Sequence, residues 1–430
     1  MRDARCPKPP SLQALIVAVA CLFLSCAVGA ESQVPTQEVF KRFGNRVVQV
    51  RIVDRATESK SVIGSGFFVA PHHLVTNYHV VSELVHAADR HRAEIVRDDG
   101  STLPLELLNL DVVHDLAVLR CDAPSPAYFT FQEVPPPKGQ RLFSLGNPYD
   151  LGSSIVEGTY NGLLEESLYE KIHFTGAINP GMSGGPTINN SGQVVGINVA
   201  TAGDELGFLV PAKYAAALVA KTLDPGFQKP SSLLDLVGEQ LRANQDVYMN
   251  RLLAQPFEPV ALGDYKLPGK LASFFKCWGK TEESQDERPY EVVRYDCSLE
   301  DNIFLTEERS SGTISLEHLL LRSDQLNRFQ FAALYESTFG AVLGTRGDDD
   351  ELTRYECESS YVDRPGTAWK VVLCVRAYKK LSGLYDAVLK AASLNHNTDG
   401  AQTSVALSGV SFESIQRFTR HYLEGLSWSR

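Results

Sequence analysis

Asn179-Pro-Gly-Met-Ser-Gly-Gly-Pro186 is the stretch on which the reading of this 430-residue chain turns. Ser183 stands among glycines whose backbone freedom can present both its hydroxyl and the neighbouring amide donors. A serine hydroxyl is almost fully protonated at neutral pH. It attacks a carbonyl only if a positioned base takes its proton and fixed donors hold the developing oxyanion. Working outward, the run Leu74-Val-Thr-Asn-Tyr-His-Val-Val81 puts His79 at the end of an expected strand, and His114-Asp-Leu-Ala-Val-Leu-Arg120 puts Asp115 just before another. Taken alone, such a histidine reads as structural, such a serine as a turn residue, and such an aspartate as a strand start or a cap on a backbone amide. Together, in the order His79, Asp115, Ser183, they are what nucleophilic catalysis requires. That constellation arises in different chain orders on unrelated folds, so the order carries information about the fold.

In this order the chain resembles the trypsin-like serine peptidases, and within them the HtrA branch of envelope proteases. The resemblance covers about residues 36–223. Its segments run in register from Gly64-Ser-Gly-Phe-Phe-Val-Ala-Pro71 through the His79 and Asp115 runs to Ser144-Leu-Gly-Asn-Pro-Tyr-Asp-Leu-Gly152. The Ser183 stretch, Gly192-Gln-Val-Val-Gly-Ile-Asn-Val-Ala200 and Leu206-Gly-Phe-Leu-Val-Pro-Ala212 complete it. The implied fold is an all-β double β-barrel with the triad between the barrels. The resemblance selects His79 over His72, His73 and His114, and Asp115 over Asp111. His72 and His73 read as loop residues after Pro71, and His114 would face away from Asp115 in a strand already begun. The oxyanion donors implied are the backbone amides of Gly181 and Ser183. The implied specificity pocket is lined by Ala177, Ile178, Asn198, Val199, Ala200, Gly207, Phe208 and Leu209. None of these is charged, so small or medium aliphatic side chains are expected before the scissile bond. Two positions depart from the family. Met182 replaces the usual Asp or Asn and cannot pair with a newly cut N-terminal amine, which argues against trypsin-style activation. Thr175 replaces a common Asp and bears on the local loop.

Composition frames this reading. The length suits two or three domains with full cores, and 43% hydrophobic content is ordinary for a globular chain. Arg2, Arg5 and Lys8, then an apolar run from Leu12 to Leu24 and Val28-Gly29-Ala30, read as a signal peptide over residues 1–30. The apolar core is too short for a membrane span, so export to the periplasm is expected, with no transmembrane span in the mature chain. A lipid-modified Cys26 is the alternative. Removing the leader takes the net charge from −11 to −13, which argues against nucleic acid as a partner. Asn189-Asn-Ser191 is formally a glycosylation sequon, to which a bacterial setting gives little weight. Cys121 sits alone in the protease-like half and reads as a buried thiol. Cys277, Cys297, Cys357 and Cys374 form an even late set in an exported chain, which predicts disulfides. Pairing Cys277 with Cys297 and Cys357 with Cys374 closes two intervals that can each be a hairpin. The close Cys-x-x-Cys spacing of a zinc site is absent, and no metal or cofactor is expected.

The expected organisation is a trypsin-like domain over residues 31–223, a linker over 224–232 and a disulfide-containing α+β C-terminal domain over 233–430. Thr36 to Gly44 reads as a short helix, Val48, Val50 and Ile52 as one face of a strand, Pro135-Pro136-Pro137 as a crossover between barrels, and Pro211 to Leu223 as a closing helix. Beyond the linker the pattern predicts a helix over Leu233–Leu253, strands over Tyr290–Tyr295 and Trp369–Val375, and helices over Tyr378–Leu394 and Ser411–Leu426. The two cysteine intervals hint at a duplicated unit. No carboxylate-binding loop of a PDZ module is present, so regulation by one is not carried over. The sequence thus predicts an exported serine endopeptidase acting through an acyl-enzyme on unfolded or damaged envelope proteins, with oligomers possible. The alternative is a catalytically silent protease-fold scaffold.

Overall fold

The computed structural model describes residues 34–97, 100–201, 207–285, 288–340, 351–394 and 397–429. The leader read over residues 1–30 lies outside them. Among the described residues, no helix is long and apolar enough to cross a membrane.

Six antiparallel strands, β1 (Val47–Asp54), β2 (Ser59–Ala70), β3 (His73–Thr76), β4 (His91–Val96), β5 (Thr102–Asp111) and β6 (Leu116–Cys121), close as a barrel in the order β1-β2-β3-β6-β5-β4. Val50 and Ile52 of β1 pack inside it with Phe68, Leu74 and Leu119. β1 is also buried on its other face, where Val47 meets the second barrel. That barrel is built from β7 (Thr130–Phe131), β8 (Arg141–Gly146), β9 (Ser154–Leu163), β10 (Ile172–Phe174), β11 (Pro186–Ile188), β12 (Gln193–Thr201) and β13 (Gly207–Pro211). Strands β8-β9-β10-β13-β12-β11 form the ring, closed by the β11–β12 pairing, and β7 adds parallel to β12. Phe67, Val75, Leu116 and Val118 from the first barrel interdigitate with Phe143, Leu145, Ile188 and Val194 from the second. Each such side chain contributes about 1.5–3 kcal/mol on burial, so the two barrels are held in one register. The three prolines, expected as the crossover between the barrels, lie instead between β7 and β8 of the second sheet, and the chain passes from one barrel to the other earlier, between β6 and β7.

Helix α1 (Thr36–Phe43) closes one end of this core with Val39 and Phe43. Two short helices follow β3: α2 (Tyr78–Val81) and α3 (Glu83–His86). α4 (Ala212–Leu223) packs Ala215, Leu218 and Val219 on the interface between the barrels. α5 (Leu233–Leu252) opens with Ser232 as N-cap, its hydroxyl accepting from Asp235 N at 3.1 Å.

The late region begins with a small sheet of β14 (Pro259–Leu262) and β15 (Tyr265–Pro268). β16 (Phe275–Glu282), β17 (Glu291–Leu299), the short hairpin β18 (Ile303–Phe304) and β19 (Ser310–Ser311), and β20 (Ile314–Arg322) follow. After α6 (Arg328–Gly340) come β21 (Glu356–Arg364), β22 (Thr367–Ala377), β23 (Tyr385–Ser393), β24 (Asp399–Val410), α7 (Phe412–Glu424) and β25 (Ser427–Trp428), the last pairing with β15. Seven of these strands form one antiparallel sheet in the order β16-β17-β20-β24-β23-β22-β21. One face packs on Met249 of α5 and Phe418 and Tyr422 of α7, and the other packs on Phe331 of α6.

The structure joins Cys277 to Cys297 and Cys357 to Cys374, each pair directly opposed across neighbouring strands. The two hairpins stand at opposite edges of one sheet, so the repeated cysteine interval marks its two edges and not two separate units. Cys121 is free and buried, and burial pushes its thiol pKa up. The helix expected over Tyr378–Leu394 is instead strand β23. Ala387, Leu389 and Ala391 face the core with a period of two, and pairing with β22 and β24 overrides the helix preference of Ala, Leu and Lys.

The segment after Leu223 does not separate two independent bodies. Gln240 of α5 receives Val112 N at 2.8 Å and donates to Leu110 O at 2.9 Å, extending the hydrogen bonding at the end of β5. Tyr78, Leu110 and Val112 of the first barrel share one apolar cluster with Val237 and Leu241 of α5 and with Ile303, Leu305, Leu352, Tyr378, Leu381 and Leu384.

Candidate active site

The run that carries His79 leaves strand geometry at Thr76, so His79 sits on the short helix α2 and not at the end of a strand. It is buried, 8% exposed. Asp115 precedes β6 as expected, but in a turn with φ +54°, a left-handed conformation rare for a non-glycine residue. The surroundings hold it there. Its Oδ1 accepts from His79 N at 2.8 Å, its Oδ2 lies 2.7 Å from His79 Nδ1, and its carbonyl accepts from Asn77 Nδ2 at 2.8 Å. One carboxylate therefore fixes both the backbone and the ring of His79. Burial pulls the His79 pKa down, but the Asp115 charge and hydrogen bond, with Glu307 adding to them, leave it above the ordinary histidine value.

The competing residues go elsewhere. His114 lies at 2.7 Å from Asp111 and stacks on Tyr214, since the strand has not begun at this point. His72 faces the Cys121 carbonyl, and His73 begins β3 and is not a loop residue.

Ser183 follows Gly181, whose φ is +92° and where a Cβ would stand 2.5 Å from the Asn147 carbonyl; glycine is required. Two neighbouring carbonyls are pinned. Pro180 O accepts from Tyr149 N at 3.0 Å, and Met182 O accepts from Gly185 N at 3.0 Å and Asn198 Nδ2 at 3.2 Å. Across a trans peptide the carbonyl and the following N–H point in opposite directions, so the Gly181 and Ser183 amides face away from these donors. Among the described residues neither amide has an acceptor, and both residues line one cavity with His79. The Gly181 carbonyl is held in turn by Ser65 Oγ at 2.7 Å, which itself accepts from Asn147 N at 2.8 Å. Ser183 Oγ donates to the Val199 carbonyl at 3.1 Å. Met182 is buried among Leu142, Ile178 and Leu209, an environment with no place for an amine.

Of the residues expected to line a specificity pocket, Ile178 and Val199 line the Ser183 cavity. Val199, Phe208 and Leu209 line an adjoining one with Asp115. Ala177 is exposed, Gly207 is buried beside Ile178, and the Ala200 side chain lies outside the described set. Asn198 is not a lining residue. It is fully buried and braces the Ser183 loop, accepting from Ser144 and Thr187 while donating to Leu145 O and Met182 O.

Four contributors carry no signal near the Ser183 motif. Asp301 is buried, pairs with Lys171 at 2.7 Å and accepts from Ser167 and Leu168, gripping the β9–β10 connection of the second barrel. Phe304 packs its ring 4.9 Å from that of His79. Leu305 O accepts from Tyr78 Oη at 3.1 Å, anchoring the same segment to the first barrel. Glu307 lines the Ser183 cavity; burial, followed by Glu83 and Glu308, raises its carboxyl pKa against the opposing effect of His79. Residues 301–307 thus form a strap across the cleft between the barrels.

Residues 64–197 match the family model described as a trypsin-like peptidase domain. A probable periplasmic serine endoprotease, DegP-like, from Rhizobium meliloti is 34% identical over 175 residues, covering 38% of this chain and 34% of that protein. The chloroplastic Protease Do-like 1 of Arabidopsis thaliana is 32% identical over 176 residues, covering 36% of this chain and 38% of that protein. The crystal structure of a serine endoprotease from Yersinia pestis matches with 26% identity and a TM-score of 0.39, covering 45% of this chain and 69% of that one. The chain spans about 40% of the length of the curated relatives it matches. The double barrel of this chain is similar to a trypsin-like peptidase domain and to the protease domains of the DegP-like serine endoproteases.

Proposed function

We propose that this protein is an exported serine endopeptidase that cleaves peptide bonds through an acyl-enzyme. In this reading Ser183 is the nucleophile, His79 the general base and then acid, and Asp115 the group that fixes the imidazole tautomer and stabilises the imidazolium. Gly181 N and Ser183 N hold the oxyanion. Ser183 Oγ turns from the Val199 carbonyl toward His79, a rotation about its own χ1. The His79 proton then passes to the leaving amine, and water repeats the sequence on the ester.

The observation that carries this reading is the double grip of Asp115 on His79, backbone and ring, at an energetically costly φ of +54°. Strain of this kind persists where the surroundings over-determine it, and it clusters at functional sites. Unfolded or damaged envelope proteins are the proposed substrates. Two things support this: the names of the DegP-like relatives, which place those proteins in the periplasm, and a cavity of about 220 Å³ at Ser183, partly roofed by the strap. A cleft of that size accepts an extended chain, not a folded surface. The proposed domain limits are 31–223 and 233–430, with the mature chain beginning after a leader.

A fluorophosphonate probe tests the reading. Labelling of the wild type that vanishes in Ser183→Ala is expected. A folded wild type that neither labels nor cleaves casein would favour the scaffold reading, to which the bond from Ser183 to Val199 lends its support.

A further inference from the structure

We infer that Glu307, delivered by the late region, is a specificity-determining residue of the cleft and selects substrates with a basic side chain close to the scissile bond. This rests on the peptidase reading above.

The strap's backbone alternates. Ile303 and Leu305 point into the cluster shared with Tyr78 and Leu241, so Phe304 between them faces the other way, onto His79. The tip is a tight turn, with the Leu305 and Thr306 amides both donating to Arg309 O at 2.8 and 3.1 Å and Arg309 N donating to Thr306 Oγ1 at 3.1 Å. Arg309, the turn's only cation, pairs with Glu351 and is not among the residues lining the cavity at Ser183. Glu307 then stands at the tip in the cavity lined by Ile63, His79, Asn179, Gly181 and Ser183. Among the described residues no cation pairs with it, and no other carboxylate lines that cavity. The first-barrel anchor at Tyr78 and the second-barrel anchor at Lys171 hold the strap from both sides, so the carboxylate is presented on a fixed element.

A carboxylate in this position acts on whatever side chain of an extended substrate lies beside Ser183. An incoming lysine or arginine gives it the partner the protein withholds, whereas a glutamate is repelled. The aliphatic lining of Ile178 and Val199 and the acidic tip of Glu307 therefore read two different substrate side chains, one from the barrel and one from the late region.

Full-length wild type, Glu307→Gln and Glu307→Lys are compared on internally quenched peptides carrying Lys, Gln or Glu in turn at each of three positions on either side of a central aliphatic residue. Active sites are counted with the fluorophosphonate probe. At one position the wild type is expected to show kcat/KM about five- to tenfold higher for Lys than for Glu, shrinking with added salt. Glu307→Gln flattens that ratio and Glu307→Lys inverts it. The same ratio in all three labelled, active enzymes overturns the assignment while leaving the peptidase reading intact. A wild type that neither labels nor cleaves overturns both.

Discussion

At the residue scale, the pH at which His79 can serve in its proposed role as base follows from its neighbours. Its pKa is raised above 6.5 despite burial, because the Asp115 charge and hydrogen bond and the Glu307 charge favour the imidazolium. Only neutral His79 can accept the Ser183 proton. A raised pKa therefore moves the acid limb of kcat/KM above about 6.5, and activity grows as pH rises through it. Glu307→Gln removes one of the raising charges, so its limb is expected at lower pH than the wild type's; a pH profile of the two enzymes measures this. Asp115→Asn keeps the side chain's shape, and asparagine tolerates left-handed backbone. It should fold with a wild-type melting temperature while losing about 10⁴ in kcat through the wrong imidazole tautomer. Unchanged turnover would remove Asp115 from its proposed role. Of the candidate site, His79, Asp115 and Ser183 were legible in the sequence because each lies in a short motif where local chemistry and order agree, whereas Asn198, read as a pocket residue, is a buried brace. Phe304 and Glu307 were not legible. They lie over a hundred residues beyond Ser183 in a stretch with no motif, and only the packing of the late region brings them to the cleft.

At the element scale, strands with turn residues at both ends were legible, and so were helices with a clear cap such as Ser232 for α5 or Ser411 for α7. Two misreadings share one cause. The His79 run is apolar enough for a strand but turns helical after Thr76, and the β23 run is rich enough in Ala, Leu and Lys for a helix but pairs on both sides. Contacts with distant residues decided both, the Asp115 carboxylate holding His79 N in one and strand pairing on both sides in the other, and periodicity over a few residues does not contain them. The cysteine pairs were legible because hairpin closure is a local property. Replacing Cys277 and Cys297 together with serine releases a crosslink closing 20 residues and should cost about 3 kcal/mol of unfolding free energy in denaturant titration. A loss under about 0.5 kcal/mol would show that β16 is held by its sheet contacts alone.

At the scale of the whole molecule, the fold class of the first half and the existence of a second region were readable, but not their fusion. Tyr78, Leu110 and Val112 are at most 1% exposed because α5 and the strap cover them. A fragment ending near residue 230 would open these side chains to water, at about 1.5–3 kcal/mol each, and free Tyr78 Oη from Leu305. We expect it to melt well below the full-length protein and to self-associate on gel filtration. An equally stable, monomeric fragment would make the shared cluster incidental. The seven-stranded sheet has a different bearing on the proposed setting. Its outer strands β16 and β21 are the places where a sheet can recruit a foreign strand, and in each a covalent bond ties the strand to its inner neighbour while Lys276 and Lys280, or Glu356, Glu358 and Asp363, charge it. In the proposed setting unfolded chains would be partners for such an edge, and a stapled, charged border turns them away from this sheet.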